Sequence, residues 1–211
     1  MFEIEYKGGN GIVIATKKTT ALIDPKLSLV GLKDLIVKDA VEIVTEPRFT
    51  VNGKDSQLVI EGPGDYELGD FSVRGVSATR HLDTESDEKI STVYRIEVGD
   101  VRIALIGNIA PRLSEEQLEA IGVVDILILP VGGNGYTLDA TSAAGVVRQI
   151  DPKVVIPTSY ADSALKYEVP QDELTTFTKE LGAPVETVAK YKVKTEGSLP
   201  TTLTVVEVTR S

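Results

Sequence analysis

Residues 123–131 read VVDILILPV and run straight into GGNG at 132–135. Nine mostly apolar, branched residues closed by a glycine-rich turn are too few for a membrane helix and read as a strand. A helix follows over Asp139 to Ile150. The grammar then repeats, with a strand KVVIPTSY at 153–160 and a helix over Pro170 to Leu181. Strands alternating with helices imply a sheet covered by helices. Upstream, STVYRIEV (91–98) and VRIALIG (101–107) are joined by Gly99-Asp100, which suits a hairpin. LSEEQL (113–118) then opens a helix, with Ser114 as N-cap and Gln117 three residues on completing a capping box.

The first half is richer in β-type runs. MFEIEYKG (1–8), GIVIATKK (11–18) and TALIDP (20–25) suit an antiparallel meander, followed by a short helix near Leu29 to Val37 and a strand VEIVT at 41–45. The stretch QLVIEGPGDYELGDFSVRGVSATR (57–80) reads as strands broken by turns at 61–64 and 68–70, and the chain closes with VETVAKYKV (185–193) and TTLTVVEVT (201–209). No linker or low-complexity tract interrupts the 211 residues, so one domain over 1–211 is expected. The expected fold class is α/β: two sheets packed face to face with helices outside.

Composition narrows the chemistry. The chain has no cysteine and one histidine, which removes thiolate catalysis, sulfur-bound zinc and every multi-histidine site. A net charge of −10 argues against binding the phosphate backbone of nucleic acid, the basic strip Lys190-Tyr191-Lys192-Val193-Lys194 being the one local exception. With no membrane-length apolar run and no signal-like amino terminus, a soluble cytoplasmic protein that does not engage membranes is expected.

Four short motifs invite a chemical reading, and each has a plainer one. The loop at 131–137, VGGNGYT, can hold an anion at a helix start, yet it lacks the lysine and spacing of a phosphate loop and fits an ordinary turn capped by Asp139. Asn108, after the apolar strand ending at Ile106, fits a turn residue with its amide bonded locally. Asp24, before Pro25, fits an Asx turn. His81, two residues before Asp83, is either a surface residue or a base.

Taken together, LIDP (22–25), GPGDYELG (62–69), LSEEQL (113–118), VDILILPVGG (124–133), TLDA (137–140) and PKVVIPTSY (152–160) resemble the metallo-β-lactamase superfamily. The branch they look like is that of the stand-alone prokaryotic hydrolase-like proteins related to ascorbate-6-phosphate lactonase. The resemblance extends from Ala21 to about Leu181 and implies a four-layer αβ/βα sandwich, two mixed sheets face to face with helices outside, with a metal cleft at one edge of the two sheets. In that family the strand matching Val41 to Val44 is followed by T-H-x-H-x-D-H, which binds two metals. Here Thr45 matches the threonine, but Glu46 and Arg48 take the first two histidine positions, Thr50 the aspartate and Val51 the last histidine. His81 matches a further ligand turn, Asn108 the bridging aspartate, and Ser159 the last histidine, before Tyr160. Among these positions only His81 keeps a ligand type, so neither a metal nor another cofactor is expected.

Three functions follow from these departures: a non-catalytic protein whose cleft binds an anionic small molecule or a protein partner; a metal-independent hydrolase; and a structural subunit of a homo-oligomer. The hydrolase would use His81 as general base, Asp24 or Asp83 to orient it, Arg48 for an anionic group and Asn108, Ser159 or Tyr160 as donors. The cleft would comprise Asp24, Glu46, Arg48, Thr50, Val51, His81, Asn108, Ser159 and Tyr160. A buried Arg48 needs an acid beside it, and Glu46 or Asp24 is the expected partner.

Overall fold

The strand at the centre of the sequence argument is Ile126–Pro130 (β10), and its alternate residues enter two different cores. Ile126 and Ile128 belong to one buried cluster, Leu127 and Leu129 to another. This is why the sequence here is continuously apolar instead of alternating. The computed structural model describes residues 1–51, 56–81, 90–135 and 137–211. Asp83 lies outside them, as does Tyr136.

Before β10 come Phe2–Gly8 (β1), Gly11–Ala15 (β2), Thr20–Ile23 (β3), Val41–Ile43 (β4), Leu58–Ile60 (β5), Gly64–Leu68 (β6), Phe71–Thr79 (β7), Ile90–Val98 (β8) and Val101–Leu105 (β9). Helix α1 (Glu115–Ile121) precedes β10; α2 (Ala140–Ile150), β11 (Val154–Thr158), α3 (Leu174–Leu181), β12 (Val185–Val188), β13 (Tyr191–Val193) and β14 (Thr204–Val208) follow it. Among the described residues the strands form a six-stranded sheet in the order β13-β1-β2-β3-β4-β5 and an eight-stranded sheet in the order β12-β14-β11-β10-β9-β8-β7-β6. Both are mixed: β1 to β3 form the antiparallel meander, whereas β3, β4 and β5 run parallel, as do β9, β10, β11, β14 and β12.

Between the sheets Ile4, Ile14 and Ile43 share a core with Ile96, Ile126 and Ile156. On the far side of the eight-stranded sheet Leu127, Leu129 and Val155 pack with Val146 and Val147 of α2 and Phe177 of α3. The far side of the six-stranded sheet is polar along β1. There Lys190 pairs with Glu5 at 2.7 Å and Lys192 with Glu3 at 3.4 Å, so the basic strip faces acids of its own chain. This is the two-sheet α/β sandwich expected from the sequence, and no helix of the described residues is long and apolar enough to cross a membrane.

The chain changes sheets at the GPG turn, since β5 belongs to one sheet and β6 to the other. Gly64 has φ +154°, and a Cβ there would lie 2.9 Å from the Tyr66 hydroxyl. The α1 capping box is present, with Gln117 N–H donating to Ser114 Oγ at 3.2 Å and Ser114 N–H to Gln117 Oε1 at 2.9 Å. Asp139 caps α2 by accepting from Ser142 N–H at 2.7 Å.

Two expected helices are corrected. In place of a helix over Leu29 to Val37 there is one 3₁₀ turn, Leu27–Val30, stopped by Gly31 at φ +80°. Beyond it Leu32 and Leu35 donate back to Leu27 and Pro25, which folds the segment on itself. The helix expected from Pro170 starts only at Leu174, because Asp172 donates to Gly132 O and its carbonyl accepts from Ala161, committing both backbone groups to neighbouring loops.

Candidate functional site

The loop after β4 is built on Asp24 and Thr45. Asp24, at the carboxyl end of β3 with φ +42°, turns its carboxylate across to the next strand. Its Oδ1 accepts from Thr45 N–H at 2.7 Å and its Oδ2 from Thr45 Oγ1 at 2.8 Å. The local Asx turn suggested by the Asp-Pro sequence is therefore replaced by a bond between strands. Burial raises the Asp24 carboxyl to about 7, although the two bonds from Thr45 act in the opposite direction. Thr45 in turn rests on the turn after β9 of the other sheet, where a Cβ on Gly107 would come within 2.5 Å of its Oγ1. Only glycine fits there.

Glu46 follows, with 3% of its side chain exposed. Its Oε2 lies 3.0 Å from Arg48 Nε and 3.0 Å from Arg80 Nε, so one carboxylate sits between two guanidinium groups. The acid expected beside Arg48 is present. Arg80 was not singled out from the sequence, although it stands next to His81. It arrives because it directly follows β7, where it bridges to Ile109. Arg48 also covers the Phe49 ring, its Cζ 4.8 Å from the ring centroid.

Two cavities open beside Arg48. One, of about 390 Å³, is bounded by Glu46, Arg80, Glu61 and the Gly62-Pro63 turn. The other, of about 180 Å³, brings Arg48 together with Asn108 and Ser159, and adds Asn10, Thr137 and Tyr167. Ser159 has φ +49°, and its Oγ donates to Asn10 Oδ1 at 2.5 Å while its N–H donates to Gly9 O at 2.9 Å. Burial holds the Tyr167 hydroxyl near 12, so it stays protonated.

Other expected cleft residues lie apart from these cavities. Thr50 Oγ1 reaches Glu61 at 3.4 Å, and Val51 N–H donates to Glu42 Oε2 at 3.1 Å. Tyr160 stacks on Tyr6 with ring centroids 5.6 Å apart. His81 donates its backbone N–H to Asn108 O at 3.4 Å, but its imidazole makes no hydrogen bond to another described residue and lines neither cavity. Asp24, offered as its orienting acid, spends both oxygens on Thr45.

Among the described residues no three His, Asp or Glu side chains converge as metal ligands do. Glu46, at the position matching the first histidine of the motif, is held by two cations, and fixed guanidinium groups disfavour a divalent ion at the same point. The residues present do not fit the two-metal centre of the family they resemble.

Residues 3–159 match the family model described as "Beta-lactamase superfamily domain", and the chain belongs to that family. Among solved structures it is similar to a candidate Zn-dependent hydrolase of the metallo-β-lactamase superfamily from Thermotoga maritima, with TM-score 0.73 and 21% identity over 99% of this chain and 100% of that one. It is also similar to Igni18, a metallo hydrolase from Ignicoccus hospitalis (TM-score 0.64, 15% identity, 92% and 99% covered), and to the metallo-β-lactamase fold protein YhfI from Bacillus subtilis (TM-score 0.57, 6% identity, 98% and 96% covered). At these identities the likeness is one of fold. No curated protein matches the sequence.

Proposed function

We propose that this member of the β-lactamase superfamily has exchanged the metal centre for a cluster of Glu46, Arg48 and Arg80, and that it binds a ligand in the adjoining cavity without turning it over. The observation that carries this reading is the carboxylate of Glu46 between two arginines, each at 3.0 Å. The resemblance places a metal-binding histidine at this position, and here the residue is an acid whose negative charge is already spent on guanidinium groups. Fold alone does not prescribe chemistry, so the site decides. Arg48 reaches both cavities, which suits a small ligand carrying a negative group.

Elemental analysis of the purified chain, dialysed without chelator, is expected to find no stoichiometric zinc, iron or manganese. Thermal unfolding should be unmoved by chelator, because no metal-binding free energy contributes to folding. Screens with phosphodiesters, lactones and β-lactams should show no turnover above background. Hydrolysis that chelator abolishes would overturn the proposal. Hydrolysis that survives chelator but disappears in His81→Gln would replace it with a single-histidine hydrolase.

A further inference from the structure

The 180 Å³ cavity has an ionic pattern that the two-metal resemblance did not suggest. Among the described residues two charged ones line it, Arg48 and Glu168, of opposite sign. Glu168 is exposed and has no ion-pair partner among the described residues. Leu29, Val30 and Phe49 form an apolar wall. The floor is neutral and polar, and its hydrogen bonds leave specific donors over. Asn10 Oδ1 accepts from both Ser159 Oγ and Thr158 Oγ1, while no described residue accepts from the Asn10 amide NH₂.

We infer that this cavity takes a small zwitterion, an α-amino acid with a compact aliphatic side chain; the inference rests on the ligand-binding reading above and specifies its ligand. The ligand carboxylate meets the Arg48 guanidinium and the Asn10 amide, its ammonium meets Glu168, and its side chain lies against Leu29, Val30 and Phe49. Each alternative charge type leaves a mismatch. A plain carboxylate or phosphate gains Arg48 but leaves the exposed Glu168 carboxylate uncompensated beside it, and a plain amine has the reverse difficulty; like charges set side by side cost affinity. The volume is smaller than the roughly 300–1,000 Å³ of pockets that hold drug-sized molecules, which suits a ligand the size of a single amino acid.

Calorimetric titration of the full chain near neutral pH with L-leucine, L-valine, 4-methylpentanoate and 3-methylbutylamine tests this. Leucine or valine should bind at least about tenfold more tightly than the deaminated acid and the decarboxylated amine, the usual worth of one charge-assisted hydrogen bond. Glu168→Gln should remove the advantage over 4-methylpentanoate while the circular dichroism spectrum stays unchanged. Equal or tighter binding of the plain acid would overturn the inference in favour of an anion site. Failure of all four probes at millimolar concentration would overturn it too, and so would a Glu168→Gln chain that keeps full preference for the amino acid, since no other acid lines the cavity among the described residues. Those failures leave the metal-free ligand-binding reading standing, whereas chelator-sensitive hydrolysis would sink that reading whatever leucine does.

Discussion

Two buried acids in this protein each sit between two cations, yet they are built for different purposes. Asp125, just before β10, accepts from Arg102 Nε at 2.8 Å, Arg102 Nη2 at 2.9 Å and Arg102 backbone N–H at 2.9 Å, with Lys153 Nζ at 3.5 Å. Its own backbone joins the same knot, since its N–H donates to Arg102 O and its carbonyl accepts from Lys153 and Val154. Three parallel strands are thereby aligned at their amino ends. Glu46, after the carboxyl end of β4, meets its two arginines through side chains and borders an open cavity. The same charge pattern is a structural fastening where backbone groups share in it, and a feature available to a ligand where space adjoins it.

The contrast predicts unequal consequences of removing each acid. Asp125→Ala should cost about 3 kcal/mol in chemical denaturation, the lower end for breaking a buried pair because Arg102 and Lys153 are about one-third exposed. Glu46→Gln keeps the shape and one acceptor oxygen, and both arginines border the open cavity within reach of water, so about 1–2 kcal/mol is expected. A larger loss from Glu46→Gln than from Asp125→Ala would break the comparison by making the Glu46 cluster the principal fastening.

The two regions should also titrate with opposite signs. Burial pushes Asp125 upward, but the side-chain and backbone hydrogen bonds of Arg102 outweigh it and hold the carboxyl below its ordinary value. Its contribution is present above the unfolded aspartate pKa and is lost as pH falls through the lower folded value. Asp24 behaves in reverse. Its folded carboxyl, at about 7, holds a proton that the unfolded chain releases near 4, so stability from this group is full below about 4 and falls as pH rises to about 7. The slope is of order 1 kcal/mol per pH unit at most. Denaturation midpoints measured across this range should decline in the native chain and flatten in Asp24→Asn. A decline of equal steepness in Asp24→Asn would show that Asp24 ionises like an exposed carboxylate.

The smallest expected effect sharpens the distinction between the cluster and its neighbour in sequence. His81→Gln should change stability by less than about 0.5 kcal/mol, because the imidazole is half-buried and makes no hydrogen bond to a described residue. A loss above about 1 kcal/mol in the melting curve would mean that His81 belongs to the cluster after all.

Much of the fold was legible because its signals are local. Ser114 and Gln117 announce a helix start from three residues apart, Asp139 caps the next helix from its own first turn, and Gly99-Asp100 joins two strands that pair at once. The segment after Leu29 misled because its apolar spacing suits a helix, whereas Gly31 and the backbone bonds to Leu27 and Pro25 end it after one turn. At the site, the Glu46 and Arg48 pair could be inferred because two residues in one loop cannot move far apart. Arg80 could not, since 34 residues and a change of sheet separate it from Glu46.

The sequence by itself determined most of the elements and the shortage of histidine and cysteine, because these follow from periodicity and composition, which are properties of neighbouring residues. Only the tertiary structure decided which charges meet. Strand pairing sets β3 beside β4 and so joins Asp24 to Thr45, and the packing of two sheets brings Arg80 to Glu46 and aligns Arg48 with Asn108 and Ser159 around one cavity. Interactions between charges act over a few ångströms of space and are indifferent to distance along the chain, so they take their partners from the fold.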